Sequence, residues 1–160
     1  MKKILSLMLA MVVLIGCVGL DVRAEETTYP KADHELTTTE DFASDDWKVS
    51  LRGAYLGSGT TSIARKDSTH INISGITNAT RVCDEVTLYL FVERSTSYAT
   101  GYSTYRSYSY TLDDVYQVAK EISNIAIERG YYYRVKGVHS VLEGNTRETT
   151  NSVTDPIDFR

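Results

Sequence analysis

Three histidines, two cysteines, twelve tyrosines and the two adjacent acid pairs that follow Trp47 are the groups through which this chain could do chemistry. His34, His70 and His139 are scattered, and no H-x-x-x-H or C-x-x-C spacing gathers them or the cysteines into a ligand set. A structural or surface role is expected for each histidine, with no metal and no cofactor. Asp84-Glu85 and Asp113-Asp114 are neighbouring carboxylates. Neighbours on a strand point to opposite faces, so neither pair sets two carboxyl groups across one bond, and turn or helix-cap use fits them better. No nucleophile elbow, phosphate loop or dinucleotide fingerprint appears, so no residue is expected to be catalytic.

The tyrosines are the compositional excess, twelve against three Phe and one Trp. Tyr102, Tyr105, Tyr108 and Tyr110, interleaved with Ser and Thr, are the candidate binding residues. Tyr beside Ser supplies rigid amphipathic contact area with adaptable hydrogen bonding. The competing use is structural, because Tyr is also a good strand residue, half buried on a solvated sheet face. Alternation sets Tyr102, Tyr108 and Tyr110 on one face and Tyr105 on the other, unless a bulge intervenes.

Upstream, Lys2 and Lys3 precede the apolar run Ile4–Leu20 and then Val22-Arg23-Ala24, the pattern of an export signal cut after Ala24. The expected product is a secreted, extracellular chain beginning at Glu25. Leu14-Ile15-Gly16-Cys17 offers an alternative, a lipobox in which Cys17 is lipidated and the protein is anchored to the cell membrane. Against it, Val18-Gly19-Leu20 is apolar where a tether is normally polar. Membrane contact is expected only through Cys17 or an uncleaved signal. After cleavage at Ala24 a lone Cys83 remains, so the domain must rest on buried apolar surface, with Cys83 a small buried hydrophobe.

Residues 25–46 hold eight acids against one base, Lys31, and read as an acidic, flexible leader. The remainder, 47–160, is nearly neutral, with no basic footprint for nucleic acid. Its length suits one domain. Its pattern is short alternating runs rich in Thr, Tyr, Val and Ile between turn residues, which is that of strands. Trp47, Val49 and Leu51 alternate with polar residues. Arg65-Lys66-Asp67-Ser68 is expected to turn a hairpin with Ile63, Ile71 and Ile73 inward. Val86, Leu88, Leu90 and Val92 share one face, and Tyr89 and Phe91 on the other suggest a central strand covered on both sides. Leu112, Val115, Tyr116, Ala119 and Ile122 keep helical spacing after Asp113-Asp114, which predicts a short helix over 112–122. Gly130–Leu142 and a run near Thr149–Thr154 are later strands, joined by a turn at Glu143-Gly144-Asn145. The fold class is therefore all-β: an antiparallel sandwich of the immunoglobulin or fibronectin kind.

The ending Gly130-Tyr131-Tyr132-Tyr133-Arg134-Val135, then His139, Glu148, Ser152, Thr154 and Ile157, resembles an uncharacterised family of small exported β-proteins of Gram-positive bacteria. Thr69–Thr77 and Val86–Arg94 are similar to the same group. The resemblance implies a secreted β-fold, a domain of unknown function and no activity. Gly130-Tyr131-Tyr132 also resembles the tyrosine corner of immunoglobulin-like sandwiches, while Arg134 stands where a second Cys would be. The function expected is a non-enzymatic extracellular module that binds a protein or glycan at the cell envelope. A secreted, toxin-like or bacteriocin-like effector acting on another cell's surface is the alternative, and a small secreted hydrolase the third.

Overall fold

The computed structural model describes residues 41–48 and 54–160. The signal pattern, Cys17, the leader as far as Glu40, Val49 and Leu51 lie outside them. Among the described residues, seven strands follow one another: β1 (Phe42–Lys48), β2 (Leu56–Arg65), β3 (His70–Ser95), β4 (Ser103–Ala126), β5 (Tyr132–Glu143), β6 (Thr146–Val153) and β7 (Ile157–Asp158). Every pairing is antiparallel. The all-β antiparallel sandwich read from the sequence is the fold.

Its two layers are one sheet bent on itself. The first part of β3 pairs with β2, from Arg65 opposite Ile71 to Leu56 opposite Ala79, while its second part pairs with β5, from Glu85 opposite Leu142 to Ser95 opposite Tyr132. Along its other side β4 accompanies β3 through both parts. A register shift between Asn78 and Cys83, three extra residues on β3, marks the bend. Bulges and bends are how a strand passes from one layer to the next. One layer is thus β1, β2, the start of β3 and the end of β4; the other is the start of β4, the end of β3, β5 and β6, with β7 on β5.

The core lies between the layers. Ile63, Ile71 and Ile73 from the first meet Val86, Leu88, Leu90, Val92, Tyr133, Val135 and Val141 from the second, and none of these is more than 1% exposed. Alternation set these faces, and the hairpin expected at Arg65–Ser68 forms one residue further on, at Lys66–Thr69: the amides of Lys66 and Asp67 donate to the His70 carbonyl. Asp67 Oδ1 accepts from the Thr69 amide and hydroxyl at 2.7 and 2.9 Å. Cys83 is buried, 2% exposed, and free. The turn after Glu143 uses Gly144 at φ +56°, a left-handed conformation that glycine adopts without strain.

Three expectations are corrected. Residues 112–122 are strand, within β4, because they pair with β3 over its bend; a helix would leave those β3 amides and carbonyls without partners. Asp113-Asp114 is a kink in that strand rather than a helix cap, with Asp114 at φ +53°. Tyr89 and Phe91 are on a face that no second layer closes, Tyr89 being 39% exposed and Phe91 half-buried. Upstream, β1 takes in Phe42–Asp46, and Asp45 Oδ2 accepts from the Val153 amide at 2.7 Å, joining β1 to β6.

Candidate functional site

The interior holds one polar chain, and its direction can be assigned. Thr77 Oγ1 donates to the Thr87 carbonyl at 3.2 Å, so toward His139 it accepts, and the proton sits on His139 Nδ1, 2.9 Å away. Nε2 is then the acceptor. Ser152 Oγ donates to it at 2.8 Å, and Thr61 Oγ1 donates to Ser152 at 3.0 Å. A serine hydroxyl on an imidazole whose other nitrogen is oriented is the arrangement of an activated nucleophile, with threonine where a carboxylate would stand. Here it is sealed: Thr61, Thr77 and His139 are 0% exposed and Ser152 is 1%. No substrate carbonyl reaches Ser152 Oγ. Burial depresses the His139 pKa to about 4, so the ring is neutral. Gly59 and Gly137 make its room, since a Cβ on either would stand 2.4 and 2.7 Å from imidazole atoms. The chain ties β2, β3, β5 and β6 together.

The ending that carries the family resemblance does the same fastening work. Tyr133 Oη donates to the Glu128 carbonyl and accepts from its amide, both at 3.0 Å, across the turn at Gly130 (φ +97°). This is the tyrosine-corner bond, made by Tyr133. Glu148 accepts the amides of Ala54, Tyr55 and Leu56 at 2.7–3.0 Å. Burial raises its pKa, and the three amides outweigh burial to hold it below the ordinary value. Thr154 Oγ1 accepts from the Val135 amide at 3.0 Å, and Ile157 is 1% exposed.

The surface suited to a ligand is the outer face of the second layer. Residues directly opposite share a face, so the register lays out its rows. One row runs Ser109, Tyr89, Val138 and Asn151; the next runs Ser107, Phe91, Lys136 and Val153. Tyr89 and Phe91 stand with ring centroids 6.5 Å apart and planes 19° from parallel. Beyond them Glu93 lies opposite Arg134 and Thr104. Arg134 Nε donates to Glu93 Oε2 at 2.8 Å, and its guanidinium lies 3.9 Å from the Tyr102 ring centroid. Tyr102 Oη donates to the Tyr98 carbonyl at 2.8 Å; burial pushes its pKa up to about 12. The result is a two-ring platform on the outer sheet face, bordered by hydroxyls and closed at one end by a Tyr–Arg–Glu stack.

The four tyrosines singled out in the sequence are not brought together. Tyr108 and Tyr110 lie opposite Leu90 and Leu88, on the core side. Tyr105 falls in the register shift between Val92 and Glu93 and packs against the core with them. Its ring lies edge-on to Tyr133 at 5.7 Å and under Arg94 at 4.7 Å. Only Tyr102 belongs to the outer platform. Tyr89 and Phe91 were missed as surface residues because an apolar residue on the second face of a strand reads equally as buried. The interleaving with Ser107 and Ser109 across the strand pair was the available signal. Among the described residues, no group of three or more His, Cys, Asp or Glu could hold a metal ion.

A family model matches residues 22–156, and its description is a family of unknown function (DUF6147). No curated protein and no solved structure matches the chain.

Proposed function

The chain belongs to this family of unknown function, from which no activity is inherited, and we propose that it is an exported, non-enzymatic module that binds a glycan of the cell envelope through the outer face of its second layer. The observation that carries the reading is the Tyr89–Phe91 pair on an open sheet face, with Val153 also exposed at 37%. Contiguous exposed apolar surface with a polar border is the mark of an interaction site. Flat aromatic rings suit the apolar faces of sugars, and Ser107, Ser109 and Asn151 stand where hydroxyls can be met. Export rests on the Lys2-Lys3, Ile4–Leu20 and Val22-Arg23-Ala24 pattern.

The test is retention on purified cell walls by the wild type and by Tyr89→Ala, Phe91→Ala and Tyr102→Ser. Loss of retention in the first two, with unchanged thermal midpoints, is the expected result. Unchanged retention in both overturns it. Retention abolished by protease treatment of the walls, and spared by glycan digestion, assigns the face to a protein partner instead.

A further inference from the structure

We infer that the ligand of this face is an acidic saccharide, its ring stacked on Phe91 and its carboxylate set on Lys136; the inference rests on the binding reading above. Charge on the face is otherwise spent internally. Glu93 is held by Arg134 at 2.8 Å, and Glu85 by Arg147 at 2.9 Å. Lys136 sits in the platform row between Phe91 and Val153, and its side chain makes no hydrogen bond or ion pair with any described residue. It is half-buried, with an aromatic and an aliphatic neighbour.

A lysine so placed lays its stem along Phe91 and Val153 and keeps an unpaired charge at the face, where an arriving carboxylate meets no competing partner. The geometry suits one ring: Lys136 lies one strand spacing, about 4.8 Å, from Phe91. The carboxylate of a pyranose on Phe91 is thus within the reach of the neighbouring lysine side chain. Ser107 on the far side of Phe91, and Asn151 diagonal to Lys136, offer hydroxyl and amide partners to the remaining sugar oxygens. Glu93 is engaged by Arg134, and Asp45 by the amide of Val153, and neither is paired with Lys136.

The experiment measures binding of the purified chain to polygalacturonate and hyaluronate, each beside its carboxyl-reduced counterpart, which keeps the rings and removes the charge. Poly-glutamate serves as the acidic peptide. The expected result is about tenfold tighter binding to at least one acidic polymer than to its reduced form, the size of one charge-assisted contact. Lys136→Ala is expected to abolish that preference, and Lys120→Ala, on another face, to keep it. Phe91→Ala is expected to weaken both forms together. Equal binding to acidic and reduced polymers, or a preference that survives Lys136→Ala, overturns the inference and leaves the platform reading standing. Binding to poly-glutamate as tight as to the polysaccharides also overturns it, in favour of acidic protein. Failure of Phe91→Ala to weaken any binding removes the platform reading itself.

Discussion

His139 is the residue on which the interior most depends, and its two bonds make stability sensitive to acid. Its pKa is about 4 in the fold against an ordinary 6.5, so between those values the unfolded chain binds the extra proton. Stability is full above pH 6.5, falls as pH drops through the window and has lost this contribution below about 4. The size is about 3 kcal/mol at most, from 1.36 kcal/mol per pKa unit. Denaturant midpoints measured from pH 7.5 to 4 should therefore decline across the whole interval. A decline that begins only below pH 4.5 would assign the acid limb to Glu148, whose pKa lies lower than usual. Gly137→Ala probes the same cluster from another side. Its Cβ would stand 2.3 Å from Thr61 Cγ2 and 2.7 Å from His139 Nε2, and overpacking of that kind costs about 1–3 kcal/mol. A midpoint unchanged by Gly137→Ala would mean that the cluster yields without cost.

At the scale of elements, β3 and β4 decide the architecture, because each serves both layers. Leu88 and Leu90, fully buried on β3, carry the inward face of the second layer. Leu88→Ala should cost about 2–5 kcal/mol in equilibrium unfolding, since it removes buried methyl groups and leaves a cavity. A change below about 0.5 kcal/mol, the usual size at surface sites, would contradict that face. β4 is an edge strand, largely exposed, and its kinks fall at Asp114 (φ +53°) and Asn124 (φ +68°). Such interruptions, with Asp113, Lys120 and Glu121 along the strand, guard an edge against pairing with other chains. Asp114→Gly should be neutral or stabilising by up to about 1 kcal/mol, because glycine adopts that backbone freely. The same change to Val should destabilise, and the pair of midpoints checks the kink. Tyr110→Ser should lower the midpoint, since Tyr110 packs against the core, whereas Tyr89→Ser should not.

At the scale of the whole molecule, a domain without a disulfide is expected to unfold at the same denaturant midpoint with and without reductant. If export and cleavage follow the signal pattern, N-terminal sequencing of the protein recovered from medium should start at Glu25. A lipid adduct on Cys17 would instead place it on the membrane. The sequence by itself determined the β class, the hairpin at Lys66–Thr69 to within one residue, and the inward sets Ile63, Ile71, Ile73 and Val86, Leu88, Leu90, Val92. Alternation is a local property with period two, legible without partners. It also made the ending from Gly130 to Ile157 recognisable, though not what those residues do. Tertiary structure alone decided the rest. Helical spacing in 112–122 gave way because β3 offers a ladder to that segment, and only long-range pairing can reveal such an offer. Tyr108 and Tyr110 turned to the core, and Tyr89 and Phe91 to the open face, because a strand has two faces and the bend of β3 decides which one the other layer covers. The isolated histidine of the sequence became the centre of the core for the same reason: Thr61, Thr77 and Ser152 come from three other strands, and only the folding of the sheet onto itself brings them to it.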